Sequence, residues 1–267
     1  MEKFDVSFPN LGIEFKGLSN VAVSPFGFDI YWYGFFVAAA VFVGVLTAYL
    51  LAKRTGQNTD NYMNYAFIAI ISCVAGARLY YVVFDWSRYR GNPLEILDFR
   101  GGGLAIYGAV LAAILSAFLY TKVKKLDFLL FSDTGICGMV IGLAIGRWGN
   151  FFNREVYGTA TESLFAMQYT SSVPVHPLFL YESVWNLALF AFMMIFWKRK
   201  AFNGEIFFIY MVGYGIGRFW MEGLRDSGYV LTLFGTDLAV SQALSAVLAV
   251  VGIAAIIYFR VKKPRVK

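Results

Sequence analysis

Long apolar segments alternate with short polar segments along most of this chain. Seven apolar runs, at about 30–52, 62–84, 104–120, 128–147, 177–197, 204–221 and 239–259, approach or reach the length needed to cross about 30 Å of hydrocarbon. The pattern predicts an all-α fold with seven transmembrane helices. Residues 1–29 mix acidic and apolar residues with two prolines, so we expect an extramembrane lead-in before the first span.

The distribution of lysine and arginine predicts the orientation of these spans. Clusters at 53–54, 122–125, 198–200 and 260–267 place 13 basic residues on one side of the membrane, against 7 on the other. Because cytoplasmic loops are enriched in Lys and Arg, we expect the N-terminus outside and 260–267 as a basic cytoplasmic tail. The longer connections 85–103, 148–176 and 222–238 then lie outside, where we expect ordered extracytoplasmic loops. Since no linker separates domains, we expect one transmembrane domain over 1–267.

The composition agrees with this topology and excludes some functions. Hydrophobic residues make up 59% of the chain and charged residues 15%, whereas soluble proteins average about 25% charged. The net charge of +6 comes from short clusters between apolar runs, which indicates loops rather than a nucleic-acid surface. His176 is the only histidine, and a catalytic metal site usually has three protein ligands, so we expect neither a metal nor another cofactor.

Polar residues collect where the fourth span ends. Residues 146–158 read GRWGNFFNREVYG and place Arg147, Asn150, Asn153 and Glu155 at this point. Because ionisable groups at membrane depth are costly, such a cluster predicts a functional site. A purely structural alternative is that Arg147 pairs with Glu155 while the asparagines cap broken helix ends.

Two other spans contain arginine. Arg78 lies about two turns from the outer end of the second span, where it could snorkel to the interface or bind an anion with its planar fork of donors. Arg218 and Glu222 share one face of the sixth span, with Tyr214 one turn before and Arg225 one turn beyond. In water such a pair stabilises a helix by only about 0.2–0.5 kcal/mol, but within a membrane we expect a functional role.

Glycines and tyrosines complete the pattern. Gly138, Gly142 and Gly146 leave one face of the fourth span bare and predict close helix packing. Residues 213–217 of the sixth span contain three alternating glycines, which fit close packing or a ligand cavity equally well. Tyr33 in the first span and Tyr107, after the glycine turn 101–103, are candidates for the site or for simple interface anchors.

Taken together, these residues resemble the prolipoprotein diacylglyceryl transferases. The segment 146–158 matches the family signature in identity and spacing at Gly146, Arg147, Gly149, Asn150, Asn153, Glu155 and Gly158. Further matches are Tyr33–Gly34, Gly76–Leu79, the glycine turn before the third span, His176–Pro177, Leu180–Glu182, and Gly217–Arg218 with Glu222 and Arg225.

The resemblance implies a membrane enzyme of bacterial lipoprotein maturation. Such an enzyme moves the sn-1,2-diacylglyceryl group of phosphatidylglycerol to the lipobox cysteine thiol of a preprolipoprotein, forming a thioether and releasing glycerol phosphate. The expected partners are phosphatidylglycerol, the signal peptide and lipobox of the acceptor, and the lipid bilayer. The expected location is the bacterial cytoplasmic membrane, with the site toward its outer face, and we expect a monomer.

The resemblance also implies roles for individual residues. The implied catalytic residues are Arg147, Arg218, Tyr107, Glu155 and Glu222, and the implied substrate-binding residues are Tyr33, Arg78, Asn150, Asn153, Gly158, Tyr214 and Arg225. Our hypothesis is that Arg147 and Arg218 hold the phosphate while Glu155 and Glu222 orient them.

Two questions stay open at this point. Many family members carry a histidine, often proposed as the base, where this chain has Tyr107. Either arginines activate Tyr107, or the histidine is not strictly required as a base. The second question is the class of protein, because a transporter or flippase for an anionic lipid would also use intramembrane arginines. Its paired halves with broken helices at the midplane are not seen in this pattern, which favours the transferase.

Overall fold

The computed structural model describes residues 3–98, 102–170, 172–225 and 239–262. Six helices within these ranges are long and apolar enough to cross a membrane, which confirms a mostly helical, polytopic membrane protein. The eight helices of the described ranges are α1 Trp32–Arg54, α2 Thr59–Phe84, α3 Trp86–Tyr89, α4 Ile106–Lys124, α5 Phe128–Asn153, α6 Leu178–Phe196, α7 Glu205–Glu222 and α8 Val240–Lys262.

The predicted sixth span forms α7, which is not among those six helices. It has 18 residues and contains three charged side chains, those of Glu205, Arg218 and Glu222. A total of seven spans therefore stays a prediction. The predicted outer loops and tail are described only in part, because residues 99–101, 171, 226–238 and 263–267 lie outside the described ranges.

The all-α prediction is wrong for the lead-in, which contains β-strands. Strands β1 Lys3–Phe8 and β2 Ile13–Ser19 pair antiparallel, and the short strand β5 Gln168–Tyr169 extends this sheet in the order β2-β1-β5. Residues Phe4, Val6 and Phe8 are buried while the residues between them are not, which is the alternation of a half-buried strand. Strands β3 Val21–Val23 and β4 Ile30–Tyr31 form a separate hairpin immediately before α1.

The chain divides into two compact units. The first unit contains the described residues of Met1–Thr47 and Ile136–Lys267, and the second unit contains Ala48–Gly135. In the first unit, the inward face of β1 packs on Phe151 from α5, Phe179 from α6 and Met167. This core holds the sheet against the ends of the two helices that carry the polar residues of the site.

The second unit is built on α2 and α4. Gly76 and Gly108 let the two backbones touch, since a Cβ added at Gly76 would lie 2.7 Å from the carbonyl oxygen of Gly108. At the other end of these helices, Tyr62 stacks on Phe131 with ring centroids 4.7 Å apart. Tyr120 belongs to the same buried cluster. Aromatic packing and glycine contact therefore fix the two ends of the pair.

Close packing by the glycines of α5 is confirmed in the first unit. A Cβ at Gly142 would lie 3.0 Å from the carbonyl oxygen of Ala40 on α1, and one at Gly44 would lie 2.8 Å from the carbonyl oxygen of Gly138. Helices without side chains at such contacts approach closely enough for backbone-to-backbone dispersion contacts. The first part of α1 is thereby held against the helix that ends in the 146–158 segment.

The glycines of α7 take part in close packing and also border a cavity, which were the two possibilities left open by the sequence. A Cβ at Gly215 would lie 2.5 Å from the carbonyl oxygen of Ser245 on α8, and one at Gly217 would lie 2.2 Å from the indole nitrogen of Trp185 on α6. Gly213 is also closely packed, since a Cβ there would lie 2.5 Å from Leu189 Cδ1 on α6, and it borders an apolar cavity of about 430 Å³ formed by α6, α7 and α8. All three glycines thus allow close packing, and one of them also borders a cavity.

The α1–α5 contact yields a stability prediction. Replacing Gly44 by alanine is expected to lower the free energy of unfolding by about 1–3 kcal/mol, because the new Cβ would meet backbone that cannot rotate away. Thermal denaturation of the purified protein would measure the effect. Gly34→Ala is the matched control on the same helix, since no atom lies within 4 Å of its added Cβ. Equal loss of stability in both variants would contradict this account.

Candidate active site

Five charged side chains form a continuous chain of ion pairs, which we call the arginine–glutamate network. Arg147 Nε pairs with Glu182 Oε2, and Glu182 Oε1 lies 3.1 Å from Arg218 Nη1. Arg218 Nη2 lies 2.6 Å from Glu222 Oε2, which is also 3.5 Å from Arg225 Nη1. The network therefore joins the end of α5, the first turns of α6 and the last turns of α7.

Burial makes the network electrostatically strong. The side chains of Glu182 and Glu222 are only 6% and 5% exposed, whereas the three arginines are between 19% and 24% exposed. A buried carboxylate without a partner is strongly unfavourable, so each glutamate holds its arginines in place. Three guanidinium groups pair with two carboxylates, so the network carries a net charge of +1, and the arginines are its more exposed members. This arrangement is suited to binding one anionic group.

The polar residues at the end of α5 form a second cluster. Asn150 Nδ2 donates to Glu155 Oε1 at 2.8 Å, and Asn153 Nδ2 lies 3.5 Å from the same oxygen. The helix ends at Asn153 because Arg154 adopts a left-handed conformation with φ 55°, and this turn brings Glu155 back beside Asn150. The backbone N–H of Glu155 donates a hydrogen bond to the carbonyl oxygen of Asn150 at 3.1 Å. The two amides and the carboxylate therefore form a preorganised polar patch.

Glu182 was not among the site residues expected from the sequence. Glu155 was the expected ion-pair partner of Arg147 in the structural alternative, but among the described residues the carboxylate that pairs with Arg147 is that of Glu182. Glu182 occurs within an apolar helix, so the cost of burying a carboxylate at that depth was a signal that could have placed it with Arg147 and Arg218.

Backbone hydrogen bonds join the chain segments next to Arg225, the last residue of the network. Gly158 N donates to His176 O at 2.9 Å, and Thr159 N donates to Leu224 O at 2.9 Å. Gly158 also forms an antiparallel bridge with Arg225. A Cβ at Gly158 would lie 2.6 Å from the carbonyl oxygen of Leu224, so glycine is required for this approach. These contacts tie the segments after α5, before α6 and after α7 to one another.

His176 contributes to this closure in its neutral form. Burial lowers the pKa of its imidazole below the ordinary value, so the ring is uncharged at neutral pH. Its Nδ1 lies 3.4 Å from the hydroxyl of Tyr181, within the first turn of α6. Within the described residues, no group of three or more His, Cys, Asp or Glu side chains could hold a metal ion.

Tyr33 and Tyr214 lie in the first unit with the network. Tyr33 packs against Gly149, where an added Cβ would lie 3.1 Å from its ring. This contact explains the glycine within the signature segment. Tyr214 lies on α7 one turn before Arg218, and its ring centroid is 5.5 Å from that of the buried Tyr210.

Arg78 and Tyr107 belong to the second unit. The buried Arg78 donates from Nε to Ile96 O at 2.9 Å, from Nη1 to Gly102 O at 2.7 Å, and from Nη2 to Glu95 O at 2.5 Å. The guanidinium donors are directed at carbonyl oxygens and hold the loop before α4 in place, while the expected anion binding by Arg78 stays a prediction. Tyr107, in the first turn of α4, is 44% exposed, and its ring centroid is 6.4 Å from that of Tyr80.

Fold and site define a polytopic membrane protein with a buried cationic site. Residues 20–258 match the model of the family described as prolipoprotein diacylglyceryl transferase. The chain belongs to this family. It is 42% identical to the phosphatidylglycerol–prolipoprotein diacylglyceryl transferase of Clostridioides difficile (strain 630) over 92% of this chain and 97% of that protein. The proteins of that name from Finegoldia magna and Listeria welshimeri are 41% and 35% identical, over 94% of this chain in both cases and 98% and 94% of their own lengths. The chain is accordingly placed among multi-pass proteins of the bacterial cytoplasmic membrane.

The contacts of Arg78 predict a structural phenotype. Arg78→Lys is expected to lower the free energy of unfolding by about 1–3 kcal/mol, because a compact ammonium cannot reach carbonyls on both sides of the loop at once. Thermal denaturation and protease cleavage within residues 93–98 would measure it. Arg88→Lys is the control, since the exposed Arg88 lies over the same Tyr89 ring as Arg78 without binding this loop in the described contacts. Equal effects of both substitutions would refute the assigned role.

Proposed function

We propose that this chain transfers the sn-1,2-diacylglyceryl group of phosphatidylglycerol to the lipobox cysteine of preprolipoproteins, the first step of lipoprotein maturation. Membership of the transferase family supports this reaction, since the relatives carry both substrates in their names. The observation that carries the proposal is the arginine–glutamate network. Its single excess positive charge complements the single negative charge of a phosphodiester.

In the proposed reaction, the cysteine sulfur attacks the glyceryl carbon that is bonded to the phosphate oxygen. A carbon–sulfur bond forms as the carbon–oxygen bond breaks, and both electrons of the broken bond leave with glycerol phosphate. Arg147 and Arg218 bind the phosphate oxygens and stabilise the negative charge that develops on the leaving group. Glu182 and Glu222 hold these guanidinium groups in position, and Arg225 adds to the positive potential.

The second cluster is proposed to bind the polar headgroup. Asn150 and Asn153 each retain hydrogen-bonding capacity beyond their contacts with Glu155, so they can bind the glycerol hydroxyls. In this revised assignment, Glu155 orients the two amides rather than the arginines. Gly158 keeps the segment after α5 near the network. Tyr33 and Tyr214 contribute aromatic surface and hydroxyl groups.

The thiol proton does not require a strong base in this scheme. A cysteine thiol with a pKa near 8.5 gains thiolate character beside arginines, and the departing phosphate can take up a proton. Tyr107 is proposed as an auxiliary residue that hydrogen-bonds the acceptor. Arg78 is proposed to act through the loop that it holds.

The acyl chains need apolar space close to the arginines. The cavity formed by α6, α7 and α8 is lined by apolar side chains that include Trp185, Leu189, Ile216 and Ile253. Trp185 packs directly against Gly217, the residue before Arg218. We propose that one acyl chain lies here while the phosphate binds the network, with the lipid approaching sideways from the bilayer.

Purified variants test the roles in the network. Incubation with phosphatidylglycerol and a lipobox peptide, followed by mass spectrometry, should show the gain of one diacylglyceryl unit. Arg147→Ala and Arg218→Ala are expected to abolish this gain, and Glu182→Gln should lower kcat by about 10²–10³-fold because the arginines lose their bridging carboxylate. Arg54→Ala, at an exposed position at the end of α1, is the control.

Each variant must first elute as a folded protein and retain its thermal transition. Near-normal thioether formation by folded Arg147→Ala would refute the proposed phosphate site. An unmodified peptide with the unaltered protein, together with movement of lipid between leaflets, would instead assign the network to lipid transport.

We further propose that the chain has seven spans, works as a monomer, and places the network at the outer face. Support for the orientation comes from the basic residues at or just after the ends of α1, α4, α6 and α8, whereas the last turn of α5, within the signature segment, contains none. Single-cysteine variants of a Cys73→Ala, Cys137→Ala protein provide the test. On intact cells, an impermeant maleimide should label Lys16→Cys but label Lys124→Cys only after permeabilisation. The reverse pattern would overturn the orientation.

A further inference from the structure

The hairpin of β3 and β4 exposes two aromatic side chains at its tip. Phe26 is 100% exposed and Phe28 is 76% exposed. Phe26 also adopts a left-handed conformation with φ 54°, which is uncommon for a bulky residue. A fully exposed phenylalanine in a strained turn is unfavourable in water, so the tip requires an apolar environment that the described protein does not supply.

The position of the hairpin identifies that environment. Trp32, the first residue of α1, donates from its backbone N–H to Asn20 O at 2.9 Å, which fixes the base of the hairpin at the start of a membrane-spanning helix. Phe26 lies only six positions before Trp32, so the tip lies within about 20 Å of the helix end along the chain. The lipid headgroup region begins at that same helix end.

Exposed apolar surface connects the tip to the lipid-facing part of α1. Val23, Ile30 and Tyr31 on the hairpin are exposed, and so is Phe35 in the first turn of the helix. Because α1 is long and apolar enough to span a bilayer, we expect its exposed surface to contact lipid. The exposed apolar residues of the hairpin would then extend that lipid-facing surface.

We propose that the tip of the β3–β4 hairpin inserts into the membrane interface beside the N-terminal end of α1. The partner is a lipid surface, recognised through apolar side chains rather than through charge. The only charged residue in 21–31 is Asp29, and its carboxylate accepts a hydrogen bond from Ser24 Oγ at 2.6 Å. Because the hairpin carries no cation, its insertion does not depend on anionic headgroups.

Insertion of the hairpin also anchors the site at a defined depth. Trp32 stacks on Phe152 with ring centroids 5.0 Å apart, and Tyr33 packs against Gly149. Both partners belong to the signature segment at the end of α5. An anchored hairpin thus holds Asn150 and Arg147 near the level of lipid headgroups. This inference concerns membrane contact alone and does not depend on the proposed reaction.

Fluorescence quenching tests the insertion. Phe26→Cys and Phe28→Cys, each in a Cys73→Ala, Cys137→Ala protein, are labelled with an environment-sensitive dye and reconstituted into phosphatidylcholine vesicles. Some vesicles carry a nitroxide near the headgroup end of the acyl chain. Both labels should show blue-shifted emission, lose fluorescence to the nitroxide lipid and be shielded from aqueous iodide, in high salt as in low salt. Lys16→Cys, at an exposed site on β2, is the matched control and should respond to iodide only.

Two outcomes would overturn the proposal. Quenching of positions 26 and 28 by iodide as strongly as position 16 would place the tip in water. Shielding from both iodide and nitroxide lipid would assign the tip to a protein contact, such as a second copy of the chain. The use of two labelled positions guards against a local effect of replacing Phe26 itself.

Discussion

Charged groups in a poorly hydrated site must be paired, and this constraint organises the centre of the protein. Glu182 and Glu222 are almost fully buried, so each requires cationic partners at short range. Those partners come from α5, α7 and the segment after α7. The three elements must therefore meet at one level, and a shift of any of them would leave a buried charge uncompensated. The same pairing leaves the guanidinium groups partly accessible and net positive, which is the property that the proposed transfer needs.

The rest of the first unit maintains this meeting point. Glycines on α1 and α5 allow backbone contact, and the aromatic core beneath β1 supports the ends of α5 and α6. Gly158 allows the segments after α5 and after α7 to approach more closely than any side chain at this position would permit. At the end of α7 opposite to the network, Arg260 pairs with the fully buried Glu205 and so holds α8 against the start of α7. The stability of the first unit and the proposed function therefore involve the same small set of close contacts.

Expectations that depended on the pattern within one helix were confirmed, whereas those that depended on contacts between elements were incomplete or wrong. The apolar runs and the close packing at Gly142 could be predicted because their signals, apolar length and the regular spacing of glycines, lie within a single helix. The strands of the lead-in were missed, although Phe4, Val6 and Phe8 alternate with polar residues, because two prolines and the acidic residues suggested an irregular segment. Glu182 was noted only within the matching segment Leu180–Glu182, because its partners, Arg147 and Arg218, lie on other helices. Arg78 was expected either to reach the interface or to bind an anion; its contacts with the carbonyls of the loop between α2 and α4 depend on how that loop folds back on the helix.

By itself, the sequence determined the class of protein and the positions of its long apolar helices, and it supplied the candidates for the site. Hydrocarbon excludes unpaired backbone and unpaired charge, so apolar length and misplaced polar residues are informative without coordinates. Only the tertiary structure decided which charge pairs with which. Arg147 could have paired with the nearby Glu155, yet it pairs with Glu182 on another helix, while Glu155 binds the amides of Asn150 and Asn153. That choice depends on how three helix ends are placed in space, which no local pattern of residues encodes.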